Sequence, residues 1–132
     1  MKEYLLDTNV YIDSYDRYYR NEFFPTYWEI FSNVLNAHVV IPKIVKNEIT
    51  KSLWFQGWLN QNYSDDFLNH KDYSDQWQTI LQFVQSCGLY KDSALIDQSK
   101  GWANEVIADP WIIAIAQKEH LTIVSEEQRI PN

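Results

Sequence analysis

Asp109-Pro110-Trp111-Ile112-Ile113-Ala114-Ile115-Ala116, followed after His120 by Leu121-Thr122-Ile123-Val124-Ser125, reads as a helix that feeds a strand. Asp suits the N-cap of such a helix and Pro its first position. The run from Trp111 to Ala116 is its buried side, and His120 closes it where the helix dipole favours a cation. The β-branched run that follows is expected to be a buried strand.

The same rhythm extends back along the chain. Residues 3–7 form a short apolar run ending in Asp7, which predicts a first buried strand. Thr8 and Asn9 offer N-cap chemistry for a helix through about residue 19. Pro25 breaks that helix and opens another over about 26–36, with apolar residues at 27, 28, 30, 31, 34 and 35. His38-Val39-Val40-Ile41 predicts a second strand, and Pro42 sits at the first turn of a helix over about 43–56. Residues 57–73 have no clean period. Ser74 is expected to cap a helix to about 86 that turns Trp77, Ile80, Leu81 and Val84 inward and ends at Gly88; a further helix is expected over about 92–104. The expected fold is α/β, one domain over residues 1–132, with a central parallel sheet between helix layers.

Composition narrows the function. With 132 residues, 45% hydrophobic and 16% aromatic, the chain can bury a core and is not disordered. Its three glycines form neither a P-loop nor a dinucleotide fingerprint. The lone Cys87 makes no internal disulfide and no zinc pattern, which fits a reducing cytoplasm. Asp7 interrupts the N-terminal apolar run, so no signal peptide is expected, and no stretch approaches a membrane span. The net charge of −7 runs against the basic footprint usual in nucleic-acid binders.

In parallel α/β sheets, sites form at the carboxyl ends of strands. Asp7 closes the first strand, Glu126 and Glu127 follow the last, Asp109 starts the helix that feeds it, and Glu48 lies early in the helix after the second strand. Each also has an ordinary reading: Asp7 as a turn residue, Asp109 as a cap, Glu48 as a solvated partner of Lys51, Glu127 as a surface turn. Together they form an oxygen-rich cluster of the kind that suits Mg²⁺ or Mn²⁺ and metal-assisted hydrolysis. An aspartyl nucleophile at Asp7 is disfavoured, because phosphoryl-transfer enzymes of that type usually carry a second Asp two residues on, where this chain has Asn9.

Leu5-Leu6-Asp7-Thr8-Asn9-Val10 resembles the opening motif of the PIN-domain family. Val45-Lys46-Asn47-Glu48-Ile49 is similar to its second motif, Ala108-Asp109-Pro110-Trp111 onward to its third, and Ile123-Val124-Ser125-Glu126-Glu127 to its fourth. Tyr18-Tyr19, Phe23-Phe24-Pro25 and Trp28 further resemble a bacterial toxin-like (VapC-like) ribonuclease subgroup. The resemblance implies a three-layer α/β/α sandwich around five parallel strands. It also implies Mg²⁺- or Mn²⁺-dependent cleavage of RNA, an antitoxin protein as partner, and a homodimer as a possible assembly. By the same resemblance Asp7, Asp109, Glu48 and Glu127 are the catalytic and metal-binding acids, with Glu126 competing for the fourth place. Thr8, Asn9 and Ser125 are their hydrogen-bonding support. The sequence stops at Ile130-Pro131-Asn132, where the family generally continues into a final strand, so the expectation is either a truncated chain or an edge strand that is lost or supplied by a partner. Arg17, Arg20, Lys43, Lys46 and Lys51 are the candidate phosphate contacts, with Lys46, Lys51 and Arg17 foremost. The competing expectation is a catalytically weak scaffold that binds proteins through its aromatic surface.

Overall fold

A computed structural model describes residues 2–20, 22–86 and 103–125. The chain is an α/β protein built on a parallel sheet. Strand β1 (Tyr4–Leu6) is central, with β2 (Val39–Val40) on one side and β3 (Thr122–Val124) on the other. Leu5 is fully buried and Leu6 is 8% exposed. Successive strand residues point to opposite faces, so both faces of the sheet are covered at β1, as in the expected sandwich. Among the described residues the sheet has three strands, fewer than the five the resemblance implies.

Helix α1 (Thr8–Asp13) runs into a π-helical turn at Ser14–Tyr18, so the expected helix to about 19 is present with a change of winding. Helix α2 (Pro25–His38) carries the chain to β2. Its inward face is narrower than the sequence pattern suggests: Trp28, Phe31 and Leu35 are buried, whereas Ile30 and Val34 face solvent.

The single helix expected over 43–56 is two helices, α3 (Lys43–Glu48) and α4 (Leu53–Asn62). The β-branched pair Ile49-Thr50 loses side-chain freedom in a helix, and buried Ile49 leaves the helical conformation. Ser52 then caps α4, its hydroxyl accepting from the Phe55 N–H at 3.1 Å, while the Gln56 amide donates to the Ile49 carbonyl at 2.8 Å. The segment without a clean period therefore opens with the second part of α4 and closes with a short 3-10 helix at His70–Tyr73.

Helix α5 (Ser74–Ser86) begins where expected, but Ser74 does not cap it as an acceptor; its hydroxyl donates to the Lys71 carbonyl. Val84 is buried there, and Trp77, Ile80 and Leu81 are half-buried. Cys87, Gly88 and the helix expected over 92–104, apart from its last two positions, lie outside the described residues. Helix α6 (Ala108–Glu119) ends at His120, which takes a left-handed conformation with φ of 57°. Strand β3 is exposed along its length rather than buried, because it lies at the sheet's edge among the described residues.

Aromatic packing fills the core between α1, α2 and α4. Tyr11 stacks on Phe31 at 6.1 Å, Phe55 meets Tyr11 and Tyr15, and Trp58 packs on Phe31 and Phe55. Rings of this size contribute more than their area through edge and offset contacts. Gly57 sits inside α4 with nothing within 4 Å of a would-be Cβ. Gly57→Ala is therefore expected to raise stability by about 0.5–1 kcal/mol through helix propensity, read as a higher urea midpoint at unchanged slope.

Candidate acidic site

The sheet order β2-β1-β3 makes β1 the point at which the chain changes direction. Clefts in open α/β sheets form at such a point, beyond the carboxyl ends of the strands. Asp7 is the first residue after β1. Its N–H donates to the Val124 carbonyl at 2.9 Å, which seats it between β1 and β3. It is also the N-cap of α1, with no side-chain capping bond, so its carboxylate is not taken up by the helix start.

Three other segments converge here. Ser125, just after β3, donates to Asp7 Oδ2 at 3.3 Å. Thr8 Oγ1 donates to Glu48 Oε1 at 2.8 Å, across 40 residues of sequence. The Ala108 N–H donates to Glu48 Oε2 at 3.0 Å, across 60 residues. Glu48 thus links the start of α1 to the start of α6. Asp109 was expected to be the N-cap of α6, but the cap position is Ile107, which has no capping side chain. The Glu48 carboxylate supplies the acceptor instead, from α3. A carboxylate at a helix N-terminus is favoured by both the free N–H groups and the dipole. Asp109 falls in the first turn of α6, half-buried and next to the N–H that Glu48 holds.

The structure therefore brings Asp7, Thr8, Glu48, Asp109 and Ser125 to one edge of the sheet. Asn9 is exposed on α1. Glu126 and Glu127 lie outside the described residues. Asp7 is 7% exposed, yet neither it nor Glu48 takes part in an ion pair among the described residues. Burying a carboxylate without a counter-charge is costly, so the donor set suits a cation. No three His, Cys, Asp or Glu among the described residues stand close enough to hold one ion between them. Mg²⁺ commonly takes only one or two protein carboxylates and keeps several waters.

A cleft of about 170 Å³ opens beside Glu48, lined by Ile12, Tyr15, Asp16, Thr50 and Lys51. Burial, with Asp16 adding to it, pushes the Tyr15 phenol up, so it remains a hydrogen-bond donor at neutral pH. Of the candidate phosphate contacts, Lys51 is the one that lines this cleft. Arg17 reaches toward Asp13 at 3.7 Å, and the Lys46 ammonium lies 4.2 Å from the Phe67 ring centre. Tyr15 and Thr50 were missed in the sequence; the only local signal was Thr50's place two residues after Glu48.

An α/β scaffold with acids gathered at its topological switch point is the class these features define. The chain belongs to the family described as a domain of unknown function (DUF4411), whose model matches residues 4–132. No curated protein and no solved structure matches it. No helix among the described residues is long and apolar enough to cross a membrane.

Proposed function

We propose that the chain is a metal-dependent endoribonuclease acting at the Asp7–Glu48–Asp109 edge, of the PIN type and the toxin of a toxin–antitoxin pair. The observation that carries this reading is the buried carboxylate of Asp7 at the switch point, which takes part in no ion pair among the described residues, accepts from Ser125 and is adjacent to the Thr8–Glu48–Ala108 link. Asp7 and Asp109 are the carboxylates that would hold Mg²⁺ or Mn²⁺, with Glu48 placed to orient water and Glu127 as the fourth acid of the resemblance. The ion supplies charge neutralisation at the phosphodiester and a lowered pKa for attacking water.

The chain's own residues do the positioning. Thr8 and the Ala108 N–H fix Glu48, whose oxygens still have lone pairs for water. Lys51 on the adjoining cleft meets a phosphate. Water adds to phosphorus, the bond to the 3′ oxygen breaks, and the proton goes to that leaving oxygen. The products are a 3′-hydroxyl and a 5′-phosphate. With a net charge of −7, affinity for RNA is weak and focused on this edge.

A second reading has its own observation. Phe23, Phe24, Leu53 and Trp54 are exposed around α2 and α4, and Trp28, Trp54 and Trp58 line a cleft of about 400 Å³ there. Aromatic surfaces of this kind favour protein contacts, which suits an antitoxin or a scaffold role. A mixed pool of structured RNAs incubated with Mn²⁺ or Mg²⁺, with an EDTA control, separates the two. The nuclease reading expects metal-dependent cuts bearing 5′-phosphates. Intact RNA with folded protein favours the scaffold.

A further inference from the structure

Another cleft, of about 450 Å³, lies between the 3-10 helix, α5 and the start of α6. Two of its lining side chains carry buried polar atoms without a hydrogen-bond partner among the described residues: His70 Nδ1 and Trp77 Nε1. His70 is 7% exposed. Buried polar groups are nearly always paired, and each unpaired one costs stability. Two on the walls of one cleft mark a place where a ligand can supply what the protein does not.

The chemistry of the walls defines that ligand. An indole N–H only donates, so the ligand presents an acceptor to Trp77. Burial, with Lys71 and Lys43 nearby, pushes the His70 imidazole down, so it is neutral and offers one donor and one acceptor. The Asn47 and Gln78 amides, both exposed on the rim, each donate and accept. Trp77 and Trp111 lie parallel at 4.8 Å, making a flat aromatic wall, and the Trp111 N–H is already used by the Glu105 carbonyl at 3.0 Å. Lys71 on the rim, with Lys43 close to His70, provides positive charge.

A flat ring with donors and acceptors on its edge, joined to an anionic arm, matches this set. We infer that the cleft of His70, Trp77 and Gln78 binds a nucleotide unit, its base edge toward the buried N–H and imidazole and its phosphate toward Lys71. Both buried atoms are shielded from solvent, so entry requires a rim side chain to swing aside. Gln78 and Lys71 are long and exposed, which makes that motion cheap. The Glu105 carboxylate on the same rim disfavours a second phosphate and is able to accept from an exocyclic amino group.

The nucleotide has two sources, a free mononucleotide or one unit of a single-stranded RNA. The test uses the full chain carrying Asp7→Asn, in EDTA, so that its outcome is independent of the nuclease reading. The Trp77 indole N–H resonance, assigned by its loss in Trp77→Phe, is followed while AMP, GMP, CMP and UMP are titrated separately, then a short single-stranded RNA. A saturable downfield shift with a mononucleotide identifies the free ligand; a shift with the oligomer alone identifies the RNA unit. In either case Lys71→Ala combined with Gln78→Ala, both at exposed positions, weakens binding about ten-fold or more. An unmoved resonance with every ligand, or a shift with the same affinity in the double variant, overturns the inference.

His70 also yields a pH prediction that holds without any ligand. Its folded pKa lies below the ordinary value of 6.5, chiefly because burial disfavours the charged form. The unfolded chain therefore binds more protons between the folded value and 6.5. This contribution to stability is fully present above about 6.5 and is lost as pH falls through the folded pKa. Thermal unfolding from pH 8 to 5 is expected to show a steeper acid loss in the wild type than in His70→Gln. Parallel curves would contradict it.

Discussion

Asp7→Asn and Asp109→Asn are each expected to reduce metal-dependent RNA cleavage by more than ~100-fold, since even outer-shell partners of a metal cost about 10–100-fold when removed. Fold stability should move the other way for Asp7. Its carboxylate is 7% exposed and takes part in no ion pair among the described residues. In metal-free buffer, replacing it with the neutral amide removes a buried charge and keeps an acceptor for Ser125, which sits 3.3 Å away. The melting temperature of Asp7→Asn should therefore equal or exceed that of the wild type while cleavage is lost. A site kept at the expense of stability behaves this way. A variant that loses cleavage only because it melts at the assay temperature would indicate a structural role for Asp7. Circular dichroism melts beside single-turnover cleavage separate the two.

Glu48→Ala should show the opposite balance. Glu48 accepts from Thr8 Oγ1 at 2.8 Å and from the Ala108 N–H at 3.0 Å, joining α1, α3 and α6. Truncation leaves both donors without that acceptor and strips α6 of its only identified N-terminal cap among the described residues. Each abandoned group costs about 1–3 kcal/mol when buried. Both sites are part-buried, so a total of roughly 2–4 kcal/mol is expected, which corresponds to a fall of about 8–15 °C in melting temperature for a domain of this size. Glu48→Gln keeps one acceptor oxygen and sets an N–H₂ against the other donor, so it should lie between. Cleavage should drop in both, because Asp109 is carried on the helix that Glu48 anchors. Glu48→Ala with an unchanged melting temperature would dissolve the link described here.

Much of this edge was legible in the sequence because it is built from local signals. An apolar run that stops at Asp7 and a cap-like Asp109-Pro110 before an apolar helix each place an acid at a strand or helix terminus. What the sequence could not convey is the long-range bonding. Glu48 reads as a solvated helix residue, and nothing near it reveals partners 40 and 60 positions away. That bond also explains why Asp109 is not the cap it resembled. The helix over 43–56 failed at Ile49-Thr50, where burial of Ile49 outweighed a periodic pattern that runs through it. The apolar run 121–124 looked like a core strand because composition does not distinguish a central strand from an edge one. Lys46 looked like a phosphate contact because charge is visible and the Phe67 ring beneath it is not. Trp77 reads in the sequence as one more inward residue of a helix and His70 as a lone histidine; the cleft they share and the Trp111 ring both pack against join them only in the fold. The fourth acid, Glu126 or Glu127, lies outside the described residues and is tested by substitution alone.

The most direct measurement is calorimetric titration of Mn²⁺ into the wild-type chain, Asp7→Asn and Lys51→Ala, without RNA. The account predicts saturable binding in the wild type and in Lys51→Ala, and its loss in Asp7→Asn. Equal Mn²⁺ binding by wild type and Asp7→Asn, or none by the folded wild type, would contradict a metal at the end of β1.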